Sequence, residues 1–100
     1  MGNRAIVRFP DASIEVYLHW NADDVIDWLR EAAPNMRQGD GNYAAARFIG
    51  LCANMIDGGL SLGVMPINSC DDGIIYSVNT NTGKVKRGAR IVTTLKLGQF

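Results

Sequence analysis

The chain has 100 residues, 47% of them apolar, and ten basic against ten acidic side chains give a net charge of zero. That length makes one domain with a real but modest core, and no apolar run is long enough to cross a bilayer. Two cysteines, Cys52 and Cys70, are too few for a disulfide framework or a zinc knuckle, so they read as reduced thiols of a cytoplasmic protein.

The zero is an average. Residues 1–72 hold five arginines against ten acids, a balance of −5, while residues 73–100 hold Lys84, Lys86, Arg87, Arg90 and Lys96 and no acid, a balance of +5. Asymmetry of this kind speaks of interaction surfaces rather than of a fold. The start, Met1-Gly2-Asn3-Arg4, has no apolar segment of secretory type, in keeping with a cytoplasmic expectation.

Residues 3–9, NRAIVRF, are β-prone, and Pro10-Asp11-Ala12-Ser13 has turn chemistry. Residues 14–20, IEVYLHW, alternate with period two. This predicts a strand with Ile14, Val16, Leu18 and Trp20 inward and Glu15, Tyr17 and His19 outward, paired with the first in a hairpin. Asn21 is a good helix cap, and Val25, Trp28, Leu29 and Ala32 recur at helical spacing, so the pattern predicts a helix over 22–33, ended by Pro34. Its acids Asp23, Asp24 and Asp27 suit a helix N-terminus.

A polar loop over 34–42 leads to a second expected helix, from about Tyr43 to Asp57, with Ala44, Phe48, Leu51, Cys52 and Met55 on its apolar stripe and Gly58-Gly59 as its stop. Residues 60–65 alternate as a strand before Pro66. IIYSV at 74–78 is another, after a turn over 70–73. NTNTG at 79–83 is a turn, and one strand or a pair covers 84–97 with a kink at Gly88. The expected order β-β-α-α-β-β-β makes an α+β fold: an N-terminal β-hairpin, two α-helices and a C-terminal antiparallel sheet, with both helices on one sheet face.

GNRAIV at 2–7, YLHWN at 17–21, GGLSLGV at 58–64 and CDDGIIY at 70–76 give the chain a resemblance to a family of small phage and prophage proteins. Those open with GNRAV, carry YLHWNGG before a helix, and show a GG-strand and a DNGVY-like turn. Here Asn21 is followed by Ala22-Asp23 instead of Gly-Gly. The resemblance implies a mobile-element origin and residence in the host cytoplasm. It brings no activity with it, but small phage proteins often oppose host defence by binding a host protein or sequestering a signalling nucleotide.

Several residues invite a chemical role. His19 is the single histidine and could act as a base, a ligand contact or a pH-sensitive interface residue. A catalytic set would need the Cys70-Asp71 turn beside it. The same turn with Asp72 and His19 is the one conceivable metal set, at no recognised ligand spacing. Cys52 reads as a core residue, and the acids flanking Cys70 argue against an activated nucleophile. GGLSLG opens a strand rather than a helix, and NTGK at 81–84 is too short for a phosphate loop, so no cofactor motif is present.

KVKRGAR at 84–90 is the most informative stretch. On a continuous strand Lys84, Lys86 and Arg90 share a face, suited to phosphates or an acidic protein surface. The plain alternative is an edge strand charged to prevent sheet-to-sheet pairing. No aromatic residue is interleaved with these cations, so base stacking is not suggested. The acidic helix could meet this basic strand in a second protomer.

The candidate binding set is Tyr17, His19, Lys84, Lys86, Arg87 and Arg90, with a ligand pocket between protomers lined by Tyr17, His19, Arg87 and Arg90. The leading expectation is a non-catalytic binding protein whose partner is a host protein or a small anionic ligand, acting as a monomer or a homo-oligomer away from any membrane. The alternatives are a nucleic-acid-binding module built on the basic strand and a small enzyme built on His19 and Cys70.

Overall fold

The computed structural model describes residues 3–56 and 62–98. The fold is α+β, with strands at both ends of the chain and helices between. β1 (Ala5–Phe9) and β2 (Ile14–Leu18) form the expected hairpin, joined by a 3-10 turn over Pro10–Ala12. α1 (Val25–Ala32) and α2 (Gly41–Met55) follow, then β3 (Leu62–Pro66), β4 (Ile74–Val78), β5 (Lys84–Arg87) and β6 (Arg90–Thr94). The strands make one sheet in the order β3-β2-β1-β4-β5-β6. Four of its neighbouring pairs are antiparallel, and the central pair, β1 with β4, is parallel.

Period-two patterning sorts the side chains. Ala5, Val7, Phe9, Val16, Leu18, Tyr76, Val78 and Val85 face the helices and merge with Val25, Leu29, Ala44, Phe48 and Cys52 into one buried cluster. Phe9 and Phe48 meet with ring centroids 5.9 Å apart, and burying each ring stabilises the fold by roughly 1.5–3 kcal/mol. α2 starts earlier than its apolar pattern indicates, because Asp40 caps it: Oδ1 accepts from the Tyr43 amide at 3.1 Å. It ends at Met55, which is 47% exposed rather than part of the buried stripe. The Gly58-Gly59 stop and the first two residues expected in the third strand lie outside the described residues.

The segment expected as one helix over 22–33 is a 3-10 turn (Ala22–Asp24), α1, and a second 3-10 turn (Ala33–Asn35). Asn21 makes no side-chain cap; its Nδ2 donates to Asp24 Oδ2 at 3.2 Å instead. Trp20, expected inside, is 56% exposed. The β2 ladder stops at Leu18, and the chain then bends so that the Ala22 amide donates to the Asn3 carbonyl at 3.0 Å. Ala22 takes the buried place that the alternation assigned to Trp20.

The other sheet face has no helix, yet Ile6 and Glu15 on it are fully buried. The cause is the connection from β3 to β4. β3 ends beside Ile14 and β4 begins beside Ala5, so residues 67–73 must run diagonally across β2 and β1. Three strand spacings across and about 13 Å along make a path of about 20 Å, within the span of a connection of this length. Residues 67–73 are therefore a strap.

Glu15 fastens the strap: its Oε1 accepts from the Asn68 amide at 2.8 Å and its Oε2 from the Cys70 amide at 2.7 Å. Arg8, paired opposite Glu15, donates from Nε to Glu15 Oε1 at 3.1 Å and from Nη2 to the Cys70 carbonyl at 3.0 Å. Arg4 pairs with Asp72 farther along.

Cys52 is a core residue, fully buried on α2. Burial pushes its thiol from the ordinary 9.0 up to about 12. The stability this confers is complete below pH 9. It is lost as the pH rises from 9 towards 12, because the unfolded chain then gives up a proton that the native state keeps. In urea titrations above pH 9, Cys52→Ala should show a shallower fall of stability with pH than the parent chain. In the folded protein at neutral pH an alkylating reagent should label the partly exposed Cys70 and spare Cys52; equal labelling of both would contradict the burial.

Candidate functional site

The C-terminal meander builds a hollow on the face away from the helices. β4 supplies Ser77, paired with Lys86 of β5, and β5 supplies Lys84 two residues earlier on the same face. Pro10 and Asp11 of the first turn, Asn79 and Thr82 of the β4–β5 connection, and Ile91 of β6 complete a hollow of about 380 Å³, within the range of small-ligand sites. Successive same-face residues on a strand stand about 7 Å apart, so the two ammonium groups can straddle one anion. Neither lysine is in an ion pair among the described residues.

The connection that places Lys84 is tightly specified. Asn79 Oδ1 accepts from the amides of Asn81 and Thr82 at 2.9 and 3.3 Å, and the Gly83 amide donates to the Asn79 carbonyl at 2.7 Å. Gly83 has φ +79°, and the Leu95 amide donates to its carbonyl at 2.7 Å. The fully buried Thr80 donates its hydroxyl to Asp11 Oδ2. Gln38 donates from Nε2 to the Asn81 carbonyl at 2.7 Å. The loop therefore presents Lys84 on a preformed frame.

The basic stretch is not one continuous strand. Gly88, at φ +64°, opens a two-residue turn with Ala89, and the chain folds back as β6. A glycine first in such a turn matches the twist of the flanking strands. The fold-back moves Arg90 off the face of Lys84 and Lys86 and sets it opposite Arg87, both exposed at the hairpin tip. Like charges directly opposite each other cost stability unless an anion lies between them. The edge-guarding reading of the lysines also fails, because β5 has β4 on one side and β6 on the other; β3 and β6 are the sheet edges.

Tyr17 and His19 form a separate cluster. The Tyr17 hydroxyl shares a 2.7 Å hydrogen bond with His19 Nδ1, and the His19 and Trp20 rings meet edge to face with centroids 4.3 Å apart. β1 and β4 lie between β2 and β5, so roughly 14 Å of sheet separates this cluster from the lysines. Within one chain, Tyr17 and His19 do not share a pocket with Arg87 and Arg90.

The strap sets Cys70 at Glu15, four residues along β2 from His19 and roughly 13 Å away at strand rise. Cys70 Sγ contacts Met65 Sδ at 3.2 Å instead. Among the described residues no group of three or more His, Cys, Asp or Glu side chains is placed to share a metal ion. Asp11, Ser77, Asn79 and Thr82 are site residues that the sequence did not single out. Each is an ordinary turn or strand residue until the β4–β5 connection folds over the first turn.

No family model, curated protein or solved structure matches the chain.

Proposed function

We propose that the chain is a non-catalytic binding protein that holds a phosphate-bearing ligand of nucleotide size in the hollow between the first turn and β4–β6. The observation that carries this reading is the pair Lys84 and Lys86, side by side on an interior strand, without carboxylate partners among the described residues, over a preformed hollow that also offers the Ser77 hydroxyl. Cations on an interior strand do not guard an edge, and two exposed ammonium groups held side by side favour an anionic ligand that bridges them. Asp11 at the rim supplies an acceptor for sugar hydroxyls or base amino groups. The resemblance to small phage proteins supports a setting in a phage or mobile element, where capture of a signalling nucleotide would oppose a host defence.

Native mass spectrometry of protein purified gently from a bacterial host tests this reading. A small anionic adduct is expected on the parent chain. Lys84→Ala and Lys86→Ala should each weaken retention roughly 10-fold or more, the scale of a charge-assisted hydrogen bond. Turnover of a nucleotide or peptide substrate that is abolished in His19→Ala would overturn it.

A second reading has its own observation. Arg87 and Arg90 form a second basic pair at the exposed hairpin tip, on the sheet face opposite the lysines, so a nucleic-acid backbone passing the tip could meet cations of both faces. It predicts binding that falls steeply with salt and weakens in Arg90→Ala; salt-insensitive capture by the hollow alone would remove it.

A further inference from the structure

The two sheet edges differ in a way that assigns one of them a partner. β6 belongs to the half of the chain that carries five cations and no acid, so two β6 edges repel each other. β3 is the opposite case: residues 58–70 contain no charged side chain, and Val64 at the centre of β3 is 51% exposed. An uncharged strand at the edge of a sheet is a template for another strand.

The register shows which groups that edge offers. Ile14 faces Pro66, and the Ile67 amide donates to the Ser13 carbonyl at 3.0 Å. In an antiparallel ladder this makes Pro66 and Ile14 a non-hydrogen-bonded pair, so Met65 and Gly63 bond inward to β2. The amides and carbonyls of Leu62 and Val64 point outward, as does the carbonyl of Pro66, which accepts from the Ser69 hydroxyl and has a second lone pair to offer. Proline has no amide to give, and it sits where none is needed by β2.

We propose that β3 pairs antiparallel with β3 of a second copy across a two-fold axis at Val64, joining the two sheets into one. In this register the amides of Leu62 and Val64 of each copy donate to the carbonyls of Pro66 and Val64 of the other. Val64 meets Val64 at the axis, and the missing amide of Pro66 is opposite Leu62. The surface is self-complementary, as a two-fold contact requires, and brings no like charges together. The basic hairpins lie at the two far ends of the joined sheet.

Sedimentation equilibrium tests the pairing. The parent chain should have twice the 10.9 kDa monomer mass. Val64→Pro deletes an amide that β2 does not use, so it should leave the far-ultraviolet circular dichroism intact and yield a monomer. Val64→Lys, which sets two cations at the axis, should do the same. Val92→Lys on β6 should leave the dimer unchanged. A monomeric parent, a dimer that persists in both Val64 variants, or a dimer broken by Val92→Lys would each overturn the proposal.

Discussion

Replacing Glu15 with alanine should destabilise the fold by about 3–5 kcal/mol, the cost of breaking a buried ion pair by removing one partner. This is a large share of the 5–15 kcal/mol that holds a typical domain together. Glu15 is fully buried, and its two oxygens serve Arg8 and the amides of Asn68 and Cys70. In Glu15→Ala the guanidinium and both amides lose their acceptor at once, and the strap loses its fastening to the sheet. Arg8→Ala should cost less, because Arg8 is 22% exposed and water can replace part of what it gave. Glu15→Gln keeps an acceptor oxygen and should fall between the parent and Glu15→Ala. Urea midpoints of the four proteins measure the order. A loss below about 1 kcal/mol in Glu15→Ala, the scale of an exposed ion pair, would show that the strap does not depend on this carboxylate.

Gly83→Val should be the most damaging change in the C-terminal half, at about 2–4 kcal/mol. Its φ of +79° costs a side-chain-bearing residue about 1–2 kcal/mol, and a Cβ at that position would collide with the carbonyl oxygen of Leu95. The turn must open, and Lys84 moves with it. The variant should therefore lose stability and ligand retention together, whereas Lys84→Ala should lose retention with stability nearly intact. Gly88→Val is the matched control for turn position: Gly88 is also at positive φ, but nothing lies within 4 Å of where its Cβ would be. It should lose only the conformational part. Equal losses at the two glycines would contradict the crowding at Leu95.

The local elements were legible because periodicity is a local property. The alternation over 14–18, the helical spacing of Val25, Leu29 and Ala32, and the Asn79–Gly83 turn each announce themselves within a few residues. The parallel pairing of β1 with β4 was not legible, since a strand pattern does not state its neighbour's direction. Glu15 shows the consequence. An acid at an outward position of a strand reads as solvated, and only the strap crossing above it makes it buried. Trp20 fails for the converse reason: alternation persists in the sequence for two residues after the ladder has ended.

The site was half legible. KVKR marks the cations, but that Lys84 and Lys86 stand on an interior strand, and that Arg90 turns away from them, follows from the fold-back at Gly88 and the sheet order. Asp11, from the far end of the sequence, could not be placed beside them by spacing.

The most direct measurement is a titration of the isotopically labelled chain with inorganic pyrophosphate, followed by amide chemical shifts. Saturable shifts are expected at Ser77, Asn79, Thr82, Lys84 and Lys86, and they should be lost when both lysines are changed to alanine. Shifts gathered instead at Tyr17 and His19, or none at all, would contradict an anion site in the hollow.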